Sequence, residues 1–192
     1  MSVNLVKGQK IDLTKGNSGL KKVVFGLGWD TNRYDGDASF DLDVSAFLTG
    51  SDGKVTCEPD FVFYGQPQHP SGAIVYSGDN QTGVGNGDDE TMVVDLAKIP
   101  SNIEKISFAA TIYNAENRYQ NFGMVDNSYI RAYNADTDEE LFKYELNEDF
   151  SLETGIISGE LYRRNGEWKF NAVGSGYNGG LATIARNFGL DV

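Results

Sequence analysis

Acidic side chains are concentrated in two short segments of this 192-residue chain. Residues 30–43 and 79–90 hold nine acids in 26 positions, against 19 in the other 166. They are Asp30, Asp35, Asp37, Asp41, Asp43, Asp79, Asp88, Asp89 and Glu90. Carboxylate oxygens are the ligands that calcium prefers in proteins. The chemistry that these residue types suggest is therefore the binding of a divalent cation.

In the first segment, two aspartates alternate with apolar residues. Asp41 and Asp43 lie two residues apart in the run from Phe40 to Leu48, in which every second residue is apolar. This alternation predicts a strand with one buried face, so the two carboxylates project from its other face. Repulsion between neighbouring carboxylates is relieved when a cation lies between them.

The second segment is the glycine-rich loop GDNQTGVGNGDDE at residues 78–90. Gly83, Gly85 and Gly87 allow the backbone to approach a ligand closely, and its carbonyls supply further oxygens. The loop lacks the EF-hand pattern, because Gln81 and Val84 occupy the third and sixth positions counted from Asp79. No Gly-Lys-Ser/Thr follows as in a phosphate-binding loop. A calcium loop is favoured over a plain acidic surface loop.

We predict a calcium site assembled from both segments. Nine clustered carboxylates exceed the charge of a single ion, so we expect two Ca²⁺ ions close together, preferred over the more rigidly octahedral Mg²⁺. The expected metal-site residues are Asp30, Asp37, Asp41, Asp43, Asp79, Asn80, Gly83, Gly85, Asp88, Asp89 and Glu90.

Catalytic chemistry has little support in the sequence. His69 is the single histidine and lies in Gln-His-Pro, which predicts an exposed turn. One histidine excludes a histidine-rich zinc site. No residue pattern places a general acid or a nucleophile. We therefore expect a protein that is not an enzyme.

Composition restricts the environment and the partners. A net charge of −12 argues against nucleic acid as a partner. Cys57 is the single cysteine, so no disulfide forms within the chain. The sequence shows no apolar run long enough for a membrane span and no secretory signal, which favours a cytoplasmic location.

Hydrophobic periodicity close to two predicts an all-β protein. Predicted strands cover residues 23–27, 40–48, 61–64, 73–76, 91–96, 106–113, 129–133, 141–146, 159–163 and 168–173. Asn165-Gly166 between the last two predicts a type I′ hairpin. Leu181, Ile184 and Phe188 indicate a short helix, and residues 95–99 a helical turn. We expect one domain, residues 1–192, built as a sandwich or barrel of about ten strands with one or two short helices.

Several motifs resemble those of the TerD-type tellurium-resistance and general stress protein family. They are LVKG at 5–8, GLGWD at 26–30, FDLDVSAF at 40–47, the loop at 78–90, QNFG at 120–123, YIR at 129–131, GELYRRNGEWKF at 159–170 and GYNGGL at 176–181. The resemblance covers nearly the whole chain. It implies a two-sheet β-sandwich and a bacterial, cytoplasmic, calcium-binding protein associated with tellurite resistance and stress responses.

The resemblance also bears on the site and its partners. It implies that Asp41, Asp43, Asp79, Asn80, Asp88, Asp89 and Glu90 belong to the metal region. It further implies other stress-response proteins, free or membrane-associated, as partners. The alternative that we retain is a calcium-dependent, lectin-like sandwich that binds carbohydrate or another ligand. That alternative requires an exposed aromatic platform beside the metal.

Overall fold

The computed structural model describes residues 2–30, 39–78, 80–84, 87–146 and 150–192, which form two six-stranded sheets. Sheet I has the order β1-β10-β9-β3-β7-β6 and sheet II the order β2-β12-β11-β8-β4-β5. The strands of sheet I are β1 (Val3–Leu5), β3 (Lys22–Gly28), β6 (Ile74–Ser77), β7 (Glu90–Asp95), β9 (Tyr129–Asn134) and β10 (Glu140–Glu145). Those of sheet II are β2 (Lys10–Asp12), β4 (Leu42–Thr49), β5 (Phe61–Val62), β8 (Lys105–Ile112), β11 (Gly155–Arg164) and β12 (Glu167–Tyr177).

Helical structure is limited to short segments. The α-helices are α1 (Ala115–Arg118) and α2 (Gly180–Asn187), and 3₁₀ turns occur at Glu58–Asp60 and Phe122–Met124. None of the helices in the described ranges has the length and apolar character that a membrane span requires.

The main core lies between the sheets, because alternate side chains of each strand point inward. Phe25 of β3 stacks on Phe108 of β8 with ring centroids 4.1 Å apart, and Phe142 of β10 stacks on Phe170 of β12 at 4.2 Å. These pairs join the two sheets. Aromatic residues bury the largest apolar areas, so this stack contributes strongly to holding the sandwich closed.

A second, smaller core covers the outer face of sheet II. Helix α2 packs there through Ile184, Ala185 and neighbouring Phe188. Phe188 and Phe61 both stack on Phe47, with centroid distances of 4.4 and 4.6 Å. Strand β4 is therefore buried on both faces, although its sequence alternates.

The predicted all-β sandwich is confirmed, and each of the ten predicted strands overlaps an observed one. The hairpin is also present: Asn165 and Gly166 both have positive φ, between paired Arg164 and Glu167. The short strands β1 and β2 were missed. The helical turn expected at residues 95–99 is wrong, because this segment forms a non-helical turn after β7.

Candidate metal centre

The acidic segments meet at one end of the sandwich. Strand β3 ends there and β7 and β9 begin there, because both are antiparallel neighbours of β3. In sheet II, β4 begins at the same end where its antiparallel neighbour β8 finishes. We refer to this region as the acidic end.

Glu90 links the two sheets at the acidic end. It is the first residue of β7 in sheet I, and its side chain is buried. Its Oε2 accepts a hydrogen bond of 2.6 Å from the backbone N–H of Val44 in sheet II. Its Oε1 accepts one of 2.6 Å from the Tyr76 hydroxyl. Glu90 thus anchors the end of the glycine-rich loop to β4.

Asp88 is held by a bidentate ion pair on the outer face of sheet I. Arg131 donates to it through Nε at 2.7 Å and Nη2 at 3.0 Å, and the Tyr129 hydroxyl donates at 3.1 Å. The hydrogen bond to Asp88 raises the pKa of Arg131, and burial beside the same carboxylate raises that of Tyr129. Gly26 and Gly28 leave space for this cluster, since a Cβ at either would overlap Asp88 or Tyr129.

Asp89 joins the glycine-rich loop to β3. Its Oδ2 accepts a hydrogen bond of 3.0 Å from the backbone of Trp29, and its Oδ1 accepts one of 2.6 Å from the Asn80 amide. Burial raises the pKa of Asp89, and the negative charges of Asp88 and Asp30 raise it further. These three predicted residues are therefore close enough to repel one another, the condition that a cation would relieve.

Asp41 and Asp43 line a recess of about 260 Å³, together with Tyr64, Gln81, Tyr113 and Arg118. We call this the aspartate recess. Both aspartates are nearly buried, with 8% and 6% of their surface exposed. Arg118 lies 3.9 Å from Asp41 through Nη1. Gln81 belongs to the glycine-rich loop, so this recess brings residues of both predicted segments together.

The remaining predicted residues have different positions. Asp30 accepts a hydrogen bond of 2.7 Å from Asn127 through Oδ2. Gly83 has a positive φ and lies against the Trp29 indole, where a Cβ would be 2.6 Å from Nε1. Asp37, Asp79 and Gly85 lie outside the described residues, as does Asp35.

The donor set is chemically suited to a hard cation. Asp41, Asp43 and Gln81 offer only oxygen ligands from their carboxylates and amide carbonyl, and Asp30 and Asp89 offer more nearby. Among the residues that the structure describes, however, no group of three or more His, Cys, Asp or Glu side chains is arranged to hold a metal ion. The calcium site, the number of ions and the ligand list stay predictions.

The exposed turn expected at His69 is wrong. His69 is buried, with 5% of its surface accessible. Its Nε2 lies 2.9 Å from Asp60 Oδ1, and its Nδ1 lies 2.8 Å from Ser71 Oγ. Gln-His-Pro predicted exposure because turns usually lie at the surface, but here the imidazole ties the turn to the 3₁₀ segment before β5.

Sequence reasoning missed several residues of the acidic end, among them Gln81 and Arg118 of the aspartate recess. Arg131 and Tyr129 were quoted in a motif without a role, yet they hold Asp88. Tyr64 and Tyr113 stand beside the aspartate recess and were not singled out. One sequence signal was present, because glycine inside a strand often marks a close approach, and Gly26 faces Asp88.

Fold and site together define a two-sheet β-sandwich with acidic loops at one end. A homologue of the telluride resistance protein TerD from Streptomyces coelicolor A3(2) has this fold, with a TM-score of 0.72 at 23% identity, covering 87% of this chain and 96% of that one. The TerD domain model matches residues 1–188. The chain belongs to the TerD family.

Curated relatives of the chain match over nearly its full length. The "General stress protein 16U" of Bacillus subtilis (strain 168) is 59% identical over 192 residues, covering both chains completely. The "Tellurium resistance protein TerD" of Serratia marcescens is 48% identical over 191 residues, covering 100% of this chain and 99% of that protein. The predicted resemblance is thus confirmed, in a family whose members are named for stress and tellurium resistance.

Proposed function

We propose that this protein is a calcium-binding stress-response protein that acts through metal binding and protein interaction rather than catalysis. The names of its relatives support a role in general stress or tellurium resistance. The proposed location is the cytoplasm. The proposed partners are other stress-response proteins, free or membrane-associated.

One observation carries the calcium proposal: both acidic segments meet at the aspartate recess. Asp43 is the second residue of β4, Asp41 immediately precedes that strand, and Gln81 comes from the glycine-rich loop. We propose that one Ca²⁺ binds to these oxygens and a second binds near Asp30 and Asp89. Calcium would supply positive charge there. Asp88 already pairs with the Arg131 guanidinium and Glu90 is buried within the sandwich, so they would support the loop in either state.

Calcium is expected to raise the melting temperature by about 5–10 °C. Binding to the native state alone contributes about 2.7 kcal/mol when free calcium is 100 times its dissociation constant. For a chain of this size, each 1 kcal/mol corresponds to about 2–4 °C. Thermal melts recorded in chelator and in excess calcium test this, with matched magnesium as a control. Superimposable melts in chelator and calcium would contradict the proposal.

Asp43→Asn is expected to weaken calcium binding at least about tenfold, since it removes a charged ligand worth 1.4 kcal/mol or more. The matched control is Asp138→Asn. Asp138 is exposed and has a positive φ that asparagine tolerates. Calorimetric titration should give two ions per native chain and an unchanged affinity for Asp138→Asn. Equal losses of calcium affinity in both variants would mean that binding reflects general electrostatics rather than a specific site. A stoichiometry of one would exclude the second calcium ion.

A further inference from the structure

A second recess, of about 300 Å³, adjoins the aspartate recess and shares Asp43, Tyr64 and Tyr113 with it. Its other walls are the end of β8, helix α1 and the first turn of α2. We call it the tyrosine recess. Its volume lies at the lower end of the range for small-molecule sites, about 300–1,000 Å³.

Tyr64 and Tyr113 form a partly exposed aromatic wall. Their ring centroids are 6.3 Å apart in an edge-to-face arrangement, and 44% and 48% of their surfaces are accessible. Tyr113 directly follows β8, and its backbone N–H donates to the Asp41 carbonyl at 2.7 Å. Tyr64 packs edge-on against Phe63 at 5.1 Å. The rings are thus supported by the sandwich while part of their surface remains available to a ligand.

The polar part of the tyrosine recess offers hydrogen-bond acceptors and donors together. Asp43 and Glu116 contribute carboxylates, and Asn114 and Asn117 contribute amides. Asn117 Nδ2 donates to Asn114 Oδ1 at 2.6 Å, so a ligand would meet the Asn114 amide hydrogens and the Asn117 amide oxygen. The first turn of α2 adds the positive end of the helix dipole. Thr154 fixes this turn, since its Oγ1 accepts the N–H groups of Gly179, which precedes α2, and of Gly180, its first residue, at 3.1 Å each.

These groups restrict the class of ligand. The described lining residues include no lysine or arginine, which argues against a phosphate or another anion. A purely cationic ligand would offer only donors and would leave the Asn114 amide hydrogens unmatched. A lipid would cover the exposed Glu116 carboxylate with apolar groups, which costs free energy. Hydroxyl groups both donate and accept, and they match this mixture best.

We propose that the tyrosine recess binds a small, neutral, polyhydroxylated molecule of about monosaccharide size. Its hydroxyls would donate to Asp43 and Glu116 and accept from the asparagine amides. Its apolar face would lie against the exposed part of the Tyr113 ring, beside the Arg118 guanidinium, which lies 5.6 Å from the ring centroid. The walls of the tyrosine recess are formed by protein groups without a metal ion. The inference therefore does not depend on the proposed calcium site, although Asp43 lines the recess and is also a proposed calcium ligand.

The test is a two-dimensional ¹H–¹⁵N NMR titration of the full chain in chelator, with D-glucose, D-mannose and D-galactose as probes. At least one sugar should bind with an affinity in the millimolar range and shift the signals of Tyr113, Asn114 and Leu181. Tyr113→Ala should weaken this binding about tenfold or more, as expected for an aromatic contact at a binding site. Tyr113→Phe should retain it, because the ring rather than the hydroxyl supports the ligand.

Tyr119→Ala is the matched control, since Tyr119 is 88% exposed and is not among the lining residues. The Tyr119→Ala variant should bind the sugar with unchanged affinity. Should Tyr113→Ala lose its native spectrum, Tyr64→Ala provides the same test. The proposal is overturned if no sugar shifts the recess signals, if the alanine variants bind normally, or if N-acetylarginine amide binds there and the sugars do not. Sugar binding without any calcium binding would refute only the calcium proposal. Calcium binding without any sugar binding would refute only the proposal for the tyrosine recess.

Discussion

Glu90→Ala is expected to lower the free energy of unfolding by about 3 kcal/mol. The substitution removes the carboxylate that accepts from the Val44 N–H and the Tyr76 hydroxyl at the junction of the two sheets. A buried polar group that loses its partner costs about 1–3 kcal/mol. Urea unfolding of the metal-free protein, followed by circular dichroism, measures the difference.

Glu58→Ala is the control for this experiment, because Glu58 is an exposed glutamate in the 3₁₀ turn before β5. Its replacement should change stability by less than about 0.5 kcal/mol. Glu90→Gln should fall between the two, since an amide oxygen satisfies one donor but its NH₂ group faces the other. A loss below about 1 kcal/mol for Glu90→Ala would show that Glu90 does not hold the sheets together.

Gly26→Ala is expected to destabilise the protein by about 2–3 kcal/mol. The added Cβ would lie 2.2 Å from the Asp88 carboxylate, so Asp88 must leave its position between Arg131 and Tyr129. Inserting a methyl group into a packed site costs about 1–3 kcal/mol, and hydrogen bonds to charged groups contribute about 1.5–3 kcal/mol. Denaturant unfolding measures this loss.

A double-mutant cycle identifies the cause of the Gly26→Ala effect. In an Asp88→Ala background the nearest atoms to the new Cβ are gone, so Gly26→Ala should cost less than about 1 kcal/mol. Gly16→Ala is a neutral control, because nothing lies within 4 Å of a Cβ at that position. Additive losses in the double variant would mean that Asp88 is not the obstacle.

Local patterns were sufficient to predict most of the fold. The alternation around Asp41 and the Asn165-Gly166 turn each determine a local conformation, and both match the structure. Strands β1 and β2 have three residues each, too few for a periodic pattern, and they pair with β10 and β12 far along the chain. Their formation depends on distant partners, which a local pattern does not reveal.

The candidate site was predictable in location but not in its internal contacts. Composition identified the acidic segments, and the structure brings Asp41, Asp43 and Gln81 to one recess. The partners of Asp88 and Glu90 depend on which strands are neighbours. Arg131 reaches Asp88 because β9 pairs with β3, and Glu90 reaches Val44 because the two sheets stack. Neither relationship can be read from residue types and spacing.

The pairing of β1 with β10 and of β2 with β12 has a consequence for biosynthesis. Strand β1 cannot pair until β10, which ends at Glu145, has been synthesised, and β2 cannot pair until β12, which ends at Tyr177, has been synthesised. Contacts between distant segments also slow folding, because long loops must close before they form. A nascent chain can therefore complete sheet I only after Glu145 and sheet II only after Tyr177, so β1 and β2 join the sandwich late although they precede the other strands.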